Sequence, residues 1–126
     1  MKSFLPTLIW LVFITALSIS PSVKLPKYEL FSADKLAHAG AYAVLVGCLA
    51  WGVWGTKKRA ITNMDLFLLF CVSTLYGALM EGIQGWFFPN RFFEIDDMLA
   101  NASGSFLAAI AIAIYSKRTQ PVQHKP

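Results

Sequence analysis

Four apolar runs divide this chain: about Phe4 to Ser20, Asp34 to Gly55, Ile61 to Trp86 and Asp97 to Tyr115. Each approaches the roughly 20 residues with which a helix crosses a hydrocarbon core of about 30 Å. Helix is the state this length demands, because an open strand in lipid would leave backbone donors and acceptors unpaired. The pattern predicts an all-α integral membrane bundle of four transmembrane helices, forming one domain over residues 1–126. Thr62 followed three residues later by Asp65 predicts a capping box at the start of the third helix, and Asp65 is assigned no chemistry.

The polar interruptions are not scattered. Asp34, His38 and Tyr42 open the second run, Glu81 and Gln84 close the third, and Arg91, Asp97 and Asn101 lead into the fourth. A chain threading back and forth delivers all of them to the same leaflet. Ionisable groups cost roughly 2.5–3.5 kcal/mol each at the centre of a membrane helix, so they are rare there and mark pairing or function.

Asp34, His38 and Tyr42 are spaced i, i+4, i+8 and share one helix face. At about 1.5 Å per residue that row descends roughly 12 Å from the helix end. Asp97, Asn101 and Gly104 form a similar stripe, while Glu81 and Gln84 are i, i+3 neighbours. Plainer readings exist for each. Asp34 and Asp96 suit helix caps, His38 and Tyr42 suit helix–helix hydrogen bonds, and Glu81 suits an ion pair with His38, Lys35 or Arg91. Gly77, Gly82, Gly85, Ser103 and Ser105 read as close-packing positions.

Composition agrees with a membrane setting: 56% hydrophobic, 14% charged, mean hydropathy +0.55. A net charge of +4 and a pI near 9.2 would suit nucleic acid, but the bases sit in short clusters between apolar runs. With the N-terminus inside, Lys2, Lys57, Lys58, Arg59, Lys117, Arg118 and Lys125 face the cytoplasm, against Lys24, Lys27, Lys35 and Arg91 outside. This distribution predicts both termini cytoplasmic, a short cytoplasmic tail at 116–126, and the polar groups facing outside. The first run also looks like a secretory signal peptide, but Pro21 directly after Ser20 makes a poor cleavage site and favours a retained helix. The outer connectors, residues 21–33 and 86–95, carry aromatics between charges and read as segments in the headgroup layer. Cys48 and Cys71 lie in apolar runs without CxxC spacing and read as small buried hydrophobes.

The run DKLAHAGAY (Asp34 to Tyr42), EGIQ (Glu81 to Gln84) and RFFEIDDMLANASG (Arg91 to Gly104) together resemble the VanZ-like family of small bacterial membrane proteins. Asp34, Lys35, His38, Tyr42, Glu81, Gln84, Arg91, Asp97, Asn101 and Gly104 stand at the positions of that family's pattern, over about residues 30–108. Glu94 and Ala108 depart from it, standing where aspartate and a second glycine are common. The resemblance implies the bacterial cytoplasmic membrane, an envelope role, and reduced susceptibility to glycopeptides such as teicoplanin; it supplies no reaction.

Three functions compete on these residues. In a membrane enzyme, His38 with Glu81 or Asp97 would work as acid and base, since burial and neighbouring charges can bring such groups near neutrality. Lys35 and Arg91 would hold a phosphate or carboxylate, and Asp34, Tyr42, Gln84 and Asn101 would complete the ligand pocket. A binding or shielding protein would hold an envelope lipid or cell-wall-related ligand without chemistry. A transporter is disfavoured because no inverted repeat is visible. His38, Asp34, Glu81 and Asp97 would suit Mn or Mg better than zinc, but no HExxH or comparable spacing supports a metal, so no metal and no cofactor is assigned.

Overall fold

The computed structural model describes residues 2–19, 33–88 and 93–119. A 3₁₀ turn at Lys2–Phe4 leads into helix α1, Leu5–Ile19, followed by α2, Ala33–Lys57, α3, Asn63–Phe87, and α4, Ile95–Thr119. Four candidate membrane spans result, Lys2–Ile19, Ala33–Lys57, Asn63–Phe87 and Ile95–Arg118. The four runs read from sequence are therefore the four helices, with α2 and α4 each extended by a few residues. Arg91 and most of the two aromatic connectors fall outside the described residues.

Helix ends follow local chemistry. At the start of α3 the Thr62 hydroxyl accepts from the Asp65 backbone N–H at 3.2 Å, and the Asp65 carboxylate accepts from the Thr62 N–H at 3.0 Å. This is the predicted capping box. Lys58, just past α2, sits at φ 52°, where its N–H caps the Trp54 carbonyl at 3.0 Å. That left-handed position ordinarily belongs to glycine.

The helices run up and down, as their contacts show. Phe4 and Ser3 lie against Gly52 and Gly55, joining the start of α1 to the end of α2. Ser18, near the end of α1, meets Gln84, near the end of α3. The starts of α2 and α4 therefore share one end of the bundle with the close of α1 and α3. The opposite end carries Lys57, Lys58 and Arg59.

The distribution of side chains is inverted relative to a soluble protein. Val12, Leu75, Leu79, Leu107 and Ile114 point outward, while the buried polar residues include Thr7, Ser73, Glu81, Gln84, Asp97, Asn101 and Ser105. A protein in water would reverse this arrangement. In lipid, apolar faces are already solvated, and packing with interhelical hydrogen bonds holds the bundle. Ile14, Tyr42 and Leu45 form a small apolar core with Trp10, Leu11 and Tyr76 against it. Around it, Trp10 Nε1 donates to the Ala41 carbonyl at 2.8 Å, and the Thr15 and Tyr76 hydroxyls meet at 2.6 Å.

The tightest approach is between α2 and α4. A Cβ on Gly104 would collide with the Ala39 carbonyl, so glycine is what lets the two backbones touch. That crossing lies between one and two turns below Asp34 on α2 and about two turns below Asp97 on α4, and it fixes which polar residues meet.

Candidate polar site at the α2–α4 end

Five of the residues singled out in the sequence converge here: Asp34, Lys35 and His38 from α2, Asp97 and Asn101 from α4. Asp97 is 7% exposed and Asn101 1%, while the Asp34 side chain stays 61% open on the rim. Lys35 Nζ donates to Asp96 Oδ2 at 3.1 Å and stands 3.8 Å from Asp97 Oδ1. Asp96, expected as a plain cap, is therefore also the partner of Lys35 across the helix pair.

His38 has a defined orientation. Its Nδ1 lies 3.1 Å from Asn101 Oδ1. An amide oxygen only accepts, so Nδ1 carries the proton and, in the neutral ring, Nε2 presents a lone pair. Nε2 faces two carboxylates, Asp97 Oδ2 at 3.7 Å and Asp34 Oδ1 at 3.9 Å. Both separations exceed hydrogen-bonding distance. Asp97 Oδ1 is buried without a hydrogen bond.

Asn101 is itself held from below. Its backbone carbonyl accepts from Ser105 Oγ at 2.9 Å, and Ser105 meets Ser73 of α3 at 2.9 Å. A side chain on Gly77 would come within 3.0 Å of Asn101 Nδ2 and 3.1 Å of Tyr42 Cε1, so Gly77 opens the space both occupy. Ser105, read as a packing residue, thus also joins α3 to α4 through a hydrogen bond.

The remaining candidates stand apart from this group. Glu81 is 2% exposed and faces the Glu94 backbone N–H at the start of α4. It feels the charges of Asp97 and His38 without a hydrogen bond to either among the described residues. Gln84 turns toward α1 and donates to the Ser18 carbonyl at 2.9 Å. Tyr42 packs in the apolar core, its ring 6.3 Å from that of Tyr76. Asp97 and His38 therefore form the close pair of the expected acid–base set, whereas Gln84 and Tyr42 join helices.

Sequence spacing did not reveal Asp96 as a partner of Lys35, Ser73 as a partner of Ser105, or the Thr15–Tyr76 pair. Each involves one residue per helix, and a lone polar residue has no spacing to read. Comparison with known proteins returns no matching family model, no matching curated protein and no matching solved structure.

Proposed function

We propose that this chain is a VanZ-like protein of the bacterial cytoplasmic membrane whose Asp34/Lys35/His38/Asp97/Asn101 cluster faces outside and binds the polar part of an envelope lipid or cell-wall-related ligand. The observation that carries the reading is the convergence of these five groups at one end of a lipid-facing bundle, with Asp34 open on the rim and Asp97 buried behind it. The ring of His38 lies between them. Lys35 supplies the positive charge for a phosphate or carboxylate, and Arg91 is its proposed companion. The bases Lys57, Lys58 and Arg59 follow α2 at the other end, which supports a cytoplasmic placement there and external access here.

His38 is the group proposed to move a proton, with Asp97 as the buried carboxylate behind it and Glu81 shaping the local field. No activated serine or cysteine lies among these groups, so the reading favours ligand binding or proton transfer over covalent catalysis. A second reading keeps the same cluster as a structural ion-pair network, favoured by the direct Lys35–Asp96 contact.

The deciding experiment expresses the protein in a susceptible bacterium and compares teicoplanin tolerance of wild type, His38→Ala and Glu81→Gln at matched membrane levels. A working site predicts loss of tolerance in His38→Ala with the protein still present. Unchanged tolerance in a folded His38→Ala protein would favour the network reading. Cysteine labelling at position 34 from outside intact cells checks the orientation independently.

A further inference from the structure

We propose that Asp34, His38 and Asp97 bind a divalent first-row transition-metal ion, of the zinc or manganese class. One donor atom from each residue lies within 4.8 Å of the others. The separations from Nε2 to the two carboxylates, 3.7 and 3.9 Å, are too long for hydrogen bonds. They are close to what an ion requires: with metal–ligand bonds near 2.1 Å, neighbouring tetrahedral ligands stand about 3.4 Å apart. The three groups therefore converge on one point.

Two further observations point to the same ion. Asp97, 7% exposed, directs Oδ2 at His38 Nε2 from 3.7 Å, and among the described residues its Oδ1 is buried with no hydrogen bond, 3.8 Å from Lys35 Nζ. A buried carboxylate oxygen without a donor is costly unless a positive centre takes it. His38 is also arranged as metal-bound histidines are, its Nδ1–H held by Asn101 Oδ1 so that the Nε2 lone pair is aimed at the carboxylates. The Asn101 side chain is itself buried, 1% exposed, between α2 and α3.

The charges favour a dication. Two carboxylates and a neutral imidazole carry −2 between them, and the nearby Lys35 ammonium is taken up by Asp96 at 3.1 Å. With Glu81 outside the group, one imidazole and two carboxylates remain, a set that suits Mn, Fe or Zn better than Mg or Ca, which prefer oxygen alone. Three protein ligands leave positions open, as sites that bind a water or substrate oxygen do. The exposed Asp34 side places those positions toward the rim. The inference rests on reading this cluster as a ligand site, and it names the ion through which a phosphate or carboxylate oxygen would be held.

The test uses the full-length protein in detergent, stripped with a chelator and dialysed against ZnCl₂ or MnCl₂, with bound metal counted by mass spectrometry. Wild type is expected to take up one ion per chain at micromolar metal. Asp34→Asn, a rim change that leaves the buried packing intact, is expected to weaken uptake at least tenfold, and Asn101→Ala by about 10–100-fold. With manganese, the imidazole-nitrogen coupling in the electron spin resonance signal should vanish in His38→Ala. Asp65→Asn, at the far end, should bind as wild type does. No stoichiometric uptake of either ion by wild type, or equal uptake by Asp34→Asn, would overturn the proposal. Metal counting is independent of drug tolerance, so uptake without tolerance would remove only the envelope function, and tolerance without uptake only the ion.

Discussion

At the Lys57–Arg59 end of the bundle, both oxygens of the Asp65 carboxylate are occupied. Lys57 Nζ reaches Oδ1 at 2.8 Å, Arg59 grips both oxygens at 2.7 and 3.1 Å, and Thr62 donates from its backbone at 3.0 Å and its hydroxyl at 2.8 Å. The hydrogen bond to Asp65 in turn raises the Arg59 guanidinium above its ordinary value. At the Asp34 end, among the described residues, the acids outnumber their donors: Asp97 is equally buried, yet Oδ1 has no hydrogen bond and Oδ2 faces His38 at 3.7 Å. One cluster is saturated from within its own turn and fastens a helix start. The other joins two helices and leaves a buried carboxylate oxygen with no hydrogen bond among the described residues. Burial of an acid alone thus says little; the number of its satisfied lone pairs separates a saturated fastening from a cluster with acceptors to spare.

Swapping the acid at each end tests that contrast most strongly. Asp65→Ala removes the capping box and both ion pairs, and should cost about 3 kcal/mol of unfolding free energy in mixed micelles. Asp97→Asn should cost under about 1 kcal/mol in the same assay, because it breaks no hydrogen bond that the carboxylate now accepts. Equal losses would erase the distinction between the ends.

Next in size is the crossing that assembles the open cluster. Gly104→Ala forces α4 off the Ala39 carbonyl and should cost about 2 kcal/mol, as overpacked interfaces do. The same change should separate His38 from Asn101 and reduce metal uptake, while the Asp65 cluster stays intact. A chain of unaltered stability and uptake would show that the α2–α4 approach does not set the site.

The smaller effects concern local strain and support. Lys58→Gly relieves a left-handed residue at φ 52° and should add about 1 kcal/mol of stability without changing the open cluster. A double-mutant cycle on Ser73→Ala and Ser105→Ala should return a coupling of about 0.6 kcal/mol, typical of hydrogen bonds between membrane helices. Zero coupling would remove the support assigned to Asn101.

Much of this architecture is written locally. Four runs of membrane length, a Thr62/Asp65 cap and polar residues gathered near the starts of α2 and α4 and the close of α3 are properties of single segments. Spacing alone placed Asp34 and His38 on one face, and Asp97 and Asn101 on another. It could not say which neighbour each face meets, because helix rotation and crossing are set by packing between segments. Gly104 on the Ala39 backbone makes that choice, bringing His38 onto Asn101 and Asp97 and giving Lys35 to Asp96. It leaves Gln84 to the Ser18 carbonyl and Tyr42 to the core. The chain's own pattern determined that lipid-length helices carry polar groups to a shared end, since hydropathy and capping act within a few residues. Only the tertiary structure decided which three of those groups face one another, because that depends on close approach between backbones far apart in sequence.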